Sequence, residues 1–128
     1  MINKKYLHSQ LTFDIIGSAM EVHRTLGCGY AEIIYQRALA IELEARGFVF
    51  ECEHNFNVVY KGRFVGKQRV DFYVEKQVIV EIKATHQLEG IHVSQAINYL
   101  NTSEIDVGLV INFGNESMQY RRIMRNGL

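Results

Sequence analysis

Val107-Gly108-Leu109-Val110-Ile111 is five residues without one polar side chain. A run that short and that apolar suits a strand buried on both faces, so other elements must cover the sheet on each side. The chain supplies helices that can do so. After Ser9, expected as an N-cap, Leu11, Ile15, Ala19, Val22 and Leu26 recur at helical spacing until Gly27-Cys28-Gly29. A second helix is predicted from about Ala31 to Arg46, with Tyr35, Ala38, Leu39 and Leu43 on one side and Gly47 as its stop. A third, short helix is predicted from Ile91 to Leu100.

Between these, Phe48, Phe50, Cys52, His54, Phe56, Val58 and Tyr60 fall on alternate positions, a strand long enough to need a bend. Lys61-Gly62-Arg63 reads as a turn, and further strands are predicted at Arg69–Val74, Val78–Lys83 and Gln119–Met124. The order α-α-β-β-β-α-β-β predicts an α/β (α+β) fold with a mixed central sheet flanked by helices. With 128 residues and 48% hydrophobic content, a single domain over residues 1–128 is expected, and intrinsic disorder is excluded. No stretch is apolar enough to span a membrane. The N-terminal Met1-Ile2-Asn3-Lys4-Lys5-Tyr6 leads into no apolar run, so no signal peptide is expected. Cys28 and Cys52 show no metal-type spacing, and two free thiols suit a reducing, cytoplasmic setting.

The segment Val78-Ile79-Val80-Glu81-Ile82-Lys83-Ala84 sets an acid and a lysine two apart on a strand, so both leave on one face. Charge inside an apolar strand is expensive unless it is partnered or solvated in a cleft. Asp71, ten residues before Glu81, has similar apolar neighbours. Loop length decides whether they meet. A three-residue loop, 75–77, puts Asp71 opposite Glu81 with Cβ atoms ~5 Å apart, whereas a two-residue loop puts it opposite Val80, on the other face. The odd loop is expected. Two close carboxylates repel, and a divalent cation relieves that repulsion. Asp71, Glu81 and the Ile82 backbone carbonyl are thus candidate ligands for Mg²⁺ or Mn²⁺, with Lys83 placed to orient a water or neutralise a developing oxyanion. A buried acid–lysine ion pair explains the same residues without chemistry.

Glu32, at the start of the second helix, favourably meets the helix dipole, which is worth ~0.3–1 kcal/mol. It also lies in line with Tyr35 and Leu39, on the inward face, which makes it a candidate third metal ligand. Gln95 and Tyr99 are four apart on one helical face, placed to hydrogen-bond a phosphate or brace Lys83, although Tyr99 also suits a core position. Of five scattered histidines, only His92, one turn before Gln95, falls near them.

These residues resemble a known group. Asp71 with Glu81-Ile82-Lys83 resembles the PD-(D/E)XK nuclease superfamily, and Gln95-x-x-x-Tyr99 is similar to the extra motif of its RecB-like exonucleases. Gly29-x-x-Glu32-x-x-Tyr35 matches the signature of the bacterial GxxExxY proteins, and the flanking Val74-Glu75, His92-x-x-Gln95 and Gly108-Leu109-Val110-Ile111-Asn112-Phe113-Gly114 also resemble that family. The resemblance covers roughly residues 10 to 125. It implies a restriction-endonuclease-like αβββαβ core, Asp71 and Glu81 as metal ligands, Lys83 as the catalytic lysine and Glu32 as a further ligand. Val70 stands where the superfamily nominally has proline, and two cysteines cannot supply the iron–sulfur cluster of some RecB-like relatives.

The leading expectation is a divalent-metal-dependent nuclease acting on DNA in preference to RNA. A catalytically silent nucleic-acid-binding or accessory module and a purely structural interaction domain are the alternatives. So small a domain has little surface for gripping DNA, so a homodimer or larger protein partner is expected. Formal net charge is zero, with 14 bases and 14 acids, which at first argues against a nucleic-acid partner. The charge is segregated, however. Residues 61 to 69 carry Lys61, Arg63, Lys67 and Arg69 without an acid, so Lys67 and Arg69 are candidate phosphate contacts. Arg121, Arg122 and Arg125 form a second basic stretch.

Overall fold

The computed structural model describes residues 4–127; residues 1–3, the beginning of the N-terminal stretch discussed above, and residue 128 lie outside them. After a short 3-10 turn, Lys4–Tyr6, come α1 (Ser9–Leu26), α2 (Glu32–Ala45), β1 (Phe50–Tyr60), β2 (Arg63–Val74), β3 (Val78–Lys83), α3 (Gly90–Ser103), β4 (Val107–Asn112) and β5 (Gln119–Met124). The strands form one sheet in the order β1-β2-β3-β4-β5, antiparallel except for the parallel β3–β4 pair that α3 bridges.

β4 is buried at all six positions. Val107, Leu109 and Ile111 face the core under α1 and α2, with Ile15, Ala19, Leu39 and Leu43. Val110 faces a second core with Ala96 and Leu100 of α3. The sheet is therefore covered on both faces, as an uninterrupted apolar strand requires.

Three elements differ from the sequence expectation. α1 starts at Ser9 itself, after His8 in a left-handed conformation, and no side chain caps it. α3 extends from Gly90 to Ser103 because Glu89 and His92 close its N-terminus, and Glu104 ends it with φ 61°. β2 begins at Arg63, six residues earlier than its apolar pattern, because Arg63–Gln68 pairs along β1 and needs no core face of its own.

The long β1–β2 ribbon changes face along its length. Phe50, Phe72 and Val74 pack on the α1–α2 side, whereas Phe56 and Val70 pack on the α3 side. Regular alternation would keep Phe72 and Val70 together. The switch falls between the Cys52–Phe72 and His54–Val70 pairs, where Glu53 adopts φ 54°. The bend expected of so long a strand is therefore located at Glu53 and Asp71.

Candidate active site

The loop between β2 and β3 has three residues, 75–77, and the register runs Val74↔Val78, Tyr73↔Ile79, Phe72↔Val80. One step further the ladder gives way to side chains. The Asp71 N–H donates to Glu81 Oε1 at 3.1 Å, and the Ile82 N–H donates to Asp71 Oδ2 at 2.7 Å. The strands part, and the two carboxylates satisfy the backbone donors left behind.

This wedge fixes what else faces the gap. On a strand, the N–H and C=O of one residue leave on the same side. The Ile82 N–H points to β2, so its carbonyl does too, while the Lys83 carbonyl turns the other way and accepts the Phe113 N–H at 2.9 Å. Asp71 Oδ1 and Glu81 Oε2 make no hydrogen bond among the described residues. Each carboxylate thus keeps one oxygen unbonded among the described residues, and the Ile82 carbonyl faces the same strand gap.

The electrostatics record the crowding. Burial pushes the Glu81 carboxyl up to about 8, repulsion from Asp71 adds to it, and the Asp71 N–H and Lys83 oppose it. Asp71 is raised as well, chiefly by burial, against the Ile82 N–H and Lys83. Glu32 is raised by burial, with Lys83 lowering it and Asp71 raising it. Tyr99 is raised by burial and then by Glu81, and Gln68 hydrogen-bonds it. Lys83 and Asp71 thus act on both Glu32 and Glu81, His92 acts on Glu32, and the Glu81 and Asp71 carboxylates act on Tyr99.

Other residues stand differently from expectation. Among the described residues, no three His, Cys, Asp or Glu side chains are gathered so as to hold a metal ion. Glu32 is exposed at the first turn of α2 and acts on the pair from a distance, not as a third ligand gathered with it. His92 spends Nδ1 on the Glu89 N–H at 3.1 Å, so it braces the α3 terminus at the rim. Gln95 is exposed on the α3 stripe shared with His92 and Tyr99. Arg69 is exposed and close enough to lower Asp71, while Lys67 lies further along β2.

Tyr35, expected on the inward face of the second helix, is fully buried there. Its hydroxyl donates to the Gly27 carbonyl at 2.6 Å and accepts the Tyr30 N–H at 3.2 Å, and its ring stacks on Phe113 at 4.8 Å. Gly29 takes φ 112° inside the loop thus tied down. In Gly-x-x-Glu-x-x-Tyr the glycine bends the loop, the tyrosine staples it, and the glutamate starts α2 where Lys83 and Asp71 can sense it. Tyr35→Phe removes both hydrogen bonds and should cost about 1–3 kcal/mol, read as a lower thermal midpoint.

Asn112, which sequence reasoning passed over, is fully buried and fully bonded. Its Oδ1 accepts the Thr85 and Gly114 N–H groups at 2.9 and 3.1 Å. Its Nδ2 donates to the Thr85 carbonyl at 2.9 Å and Gln119 Oε1 at 3.0 Å. Asn112 is the β4 partner of Lys83, so this clamp fixes the chain just beyond the lysine. Gly114 completes it, since a Cβ there would stand 2.2 Å from the Thr85 carbonyl oxygen. The signal in the sequence was an asparagine closing an apolar strand, where that residue is uncommon.

The family model of the PD-(D/E)XK nuclease superfamily matches residues 9–123, nearly the whole chain and all of the residues just described. The chain belongs to the PD-(D/E)XK nuclease superfamily. Membership supports a nuclease, and nucleases of this superfamily typically use Mg²⁺ or Mn²⁺. A solved structure described as the crystal structure of SSO0001 shares the fold at a TM-score of 0.58 and 20% identity, covering 72% of this chain. This chain spans 48% of that one, about half its length. No curated protein matches in sequence. Among the described residues, no helix is long and apolar enough to cross a membrane.

Proposed function

We propose that the chain is a divalent-metal-dependent nuclease that hydrolyses phosphodiesters, DNA in preference to RNA, at the splay between β2 and β3. The observation that carries this reading is the reciprocal wedge: Asp71 and Glu81 each bond the other's strand, and each keeps one oxygen unbonded among the described residues. Burial raises both carboxyls, and Asp71 adds a repulsion at Glu81 that a cation would relieve. Asp71, Glu81 and the Ile82 carbonyl would hold Mg²⁺ or Mn²⁺, with waters completing the shell and Glu32 acting through one of them. When bound, the metal lowers the pKa of a water and offsets charge on the scissile phosphate.

The rest of the work falls to the chain. Lys83, whose charge reaches Glu32, Asp71 and Glu81, would orient the attacking water and neutralise the oxyanion. Tyr99 and Gln95 offer hydrogen bonds to non-reacting phosphate oxygens, and His92 holds the near end of their helix. Arg69, beside Asp71, meets the adjoining phosphate.

The test is a panel of single-stranded, duplex, flap and four-way-junction DNA, with an RNA counterpart, incubated with Mg²⁺ or Mn²⁺. Cleavage is expected with the metal and not in EDTA, and Lys83→Ala should lower it by about 10²–10³-fold. Cleavage that survives Lys83→Ala together with Glu81→Ala assigns the activity elsewhere. The silent-module alternative takes support from the absence of a three-carboxylate cluster among the described residues. It predicts nucleic-acid binding with no turnover on any member of the panel.

A further inference from the structure

The β1–β2 ribbon outruns the sheet. β2 pairs with β3 only from Phe72 to Val74, but with β1 along its whole length from Arg63. Beyond Asp71 the ribbon is two strands on their own. Its inner face is spoken for, since Phe56 and Val70 pack against the α3-side core. Its outer face is not.

That outer face has a definite chemistry. Asn55 lies directly opposite Arg69, Asn57 directly opposite Lys67, and all four are exposed. Past the bulge between Val58 and Val59 the exposed pair Val59 and Phe64 continues this face, while Arg63, opposite Tyr60, turns to the other. No acid occurs in the chain between His54 and Val70; Glu53 stands 3.7 Å from Arg69 at the base of the ribbon, and Glu104 shares a surface hollow with Asn57 and Val58. Bases at this spacing suit successive phosphates, and carboxamides supply the donor–acceptor pairs that base edges use. A two-stranded ribbon also fits a major groove. A second copy of this chain is a poor occupant, because a two-fold contact would set like charges together. A lipid surface would use the charge but leave the paired amides idle.

We propose that this outer face, Asn55, Asn57, Lys67 and Arg69, grips duplex nucleic acid to one side of the Asp71–Glu81 site. Four strand residues separate Lys67 from Asp71, ~13 Å at the usual rise, or about four base pairs along a duplex. The position relative to cleavage rests on the nuclease reading above; the grip itself does not.

The experiment measures fluorescence anisotropy of a labelled duplex of about 24 base pairs against the full chain in Ca²⁺. Lys67→Gln with Arg69→Gln is expected to weaken binding at least tenfold and to lower the log–log salt slope by about 2. A charge-matched control, Arg24→Gln with Arg37→Gln on α1 and α2, should change neither, and unchanged thermal midpoints keep folding out of the comparison. Equal affinity of the ribbon variant and the wild type, or equal losses in variant and control, overturns the proposal. So does binding to phosphatidylserine vesicles without binding to the duplex. Ribbon-dependent binding by a protein that never cleaves would uphold the grip and remove the nuclease reading. Cleavage by a protein whose ribbon variant binds normally would do the reverse.

Discussion

Glu81→Gln is expected to abolish cleavage, by about 10³-fold or more, and to make the protein more stable above neutral pH. Both effects come from one carboxyl. Glu81 is 7% exposed, beside Asp71, with its pKa raised from 4.5 to about 8, by burial first and by Asp71 second. A carboxyl raised on folding binds its proton more tightly in the folded state than in the unfolded one. Its effect on stability is therefore most favourable below pH 4.5, declines as pH rises toward 8, and is fully adverse above that. Gln keeps an oxygen for the Asp71 N–H but carries no charge. Without metal, the wild-type thermal midpoint should fall between pH 5 and pH 8 more steeply than that of the variant. At pH 8.5 the variant should unfold higher by about 5–10 °C, the shift that a few kcal/mol gives a chain of this length. Parallel pH profiles would show that Glu81 is neither desolvated nor crowded by Asp71.

Asn112→Ala should be the most damaging single change outside the carboxylates. It strands the Thr85 N–H and carbonyl, the Gly114 N–H and one Gln119 bond in a buried place. It also opens a small cavity. A loss of about 3–5 kcal/mol is expected, since each stranded group costs 1–3 and they relax together. At permissive temperature, cleavage should fall as well, because the clamp holds the chain directly after Lys83. A folded Asn112→Ala protein with wild-type stability and rate would show that Lys83 is positioned by β3 alone.

Much of this was legible where one period or one spacing controls the outcome. The apolar run at Val107–Ile111 forces a sheet covered on both faces. The parity of a three-residue loop sets the register that brings Asp71 to Glu81. What escaped was set by tertiary contact. Arg63–Gln68 extends β2 without a patterned face, because β1 supplies its hydrogen bonds and solvent meets its outer side. The face switch depends on one residue, Glu53, in a conformation no periodicity encodes. Tyr35 shares a motif with Glu32 yet works in the core as a staple, since a motif records spacing and not direction. Asn112 reads as the polar end of a strand until its four bonds are traced to Thr85, Gly114 and Gln119.

The central claim, that the Asp71–Glu81 wedge is a cation site, is tested most directly by calorimetric titration of the full chain with Mn²⁺ at pH 7. Run in two buffers of different ionisation heat, it should show one site and release of about one proton per metal, because Glu81 is mostly protonated before binding. Glu81→Gln should remove both the binding and the proton. Absence of Mn²⁺ binding to the wild type, or binding that persists unchanged in Glu81→Gln, would contradict the account.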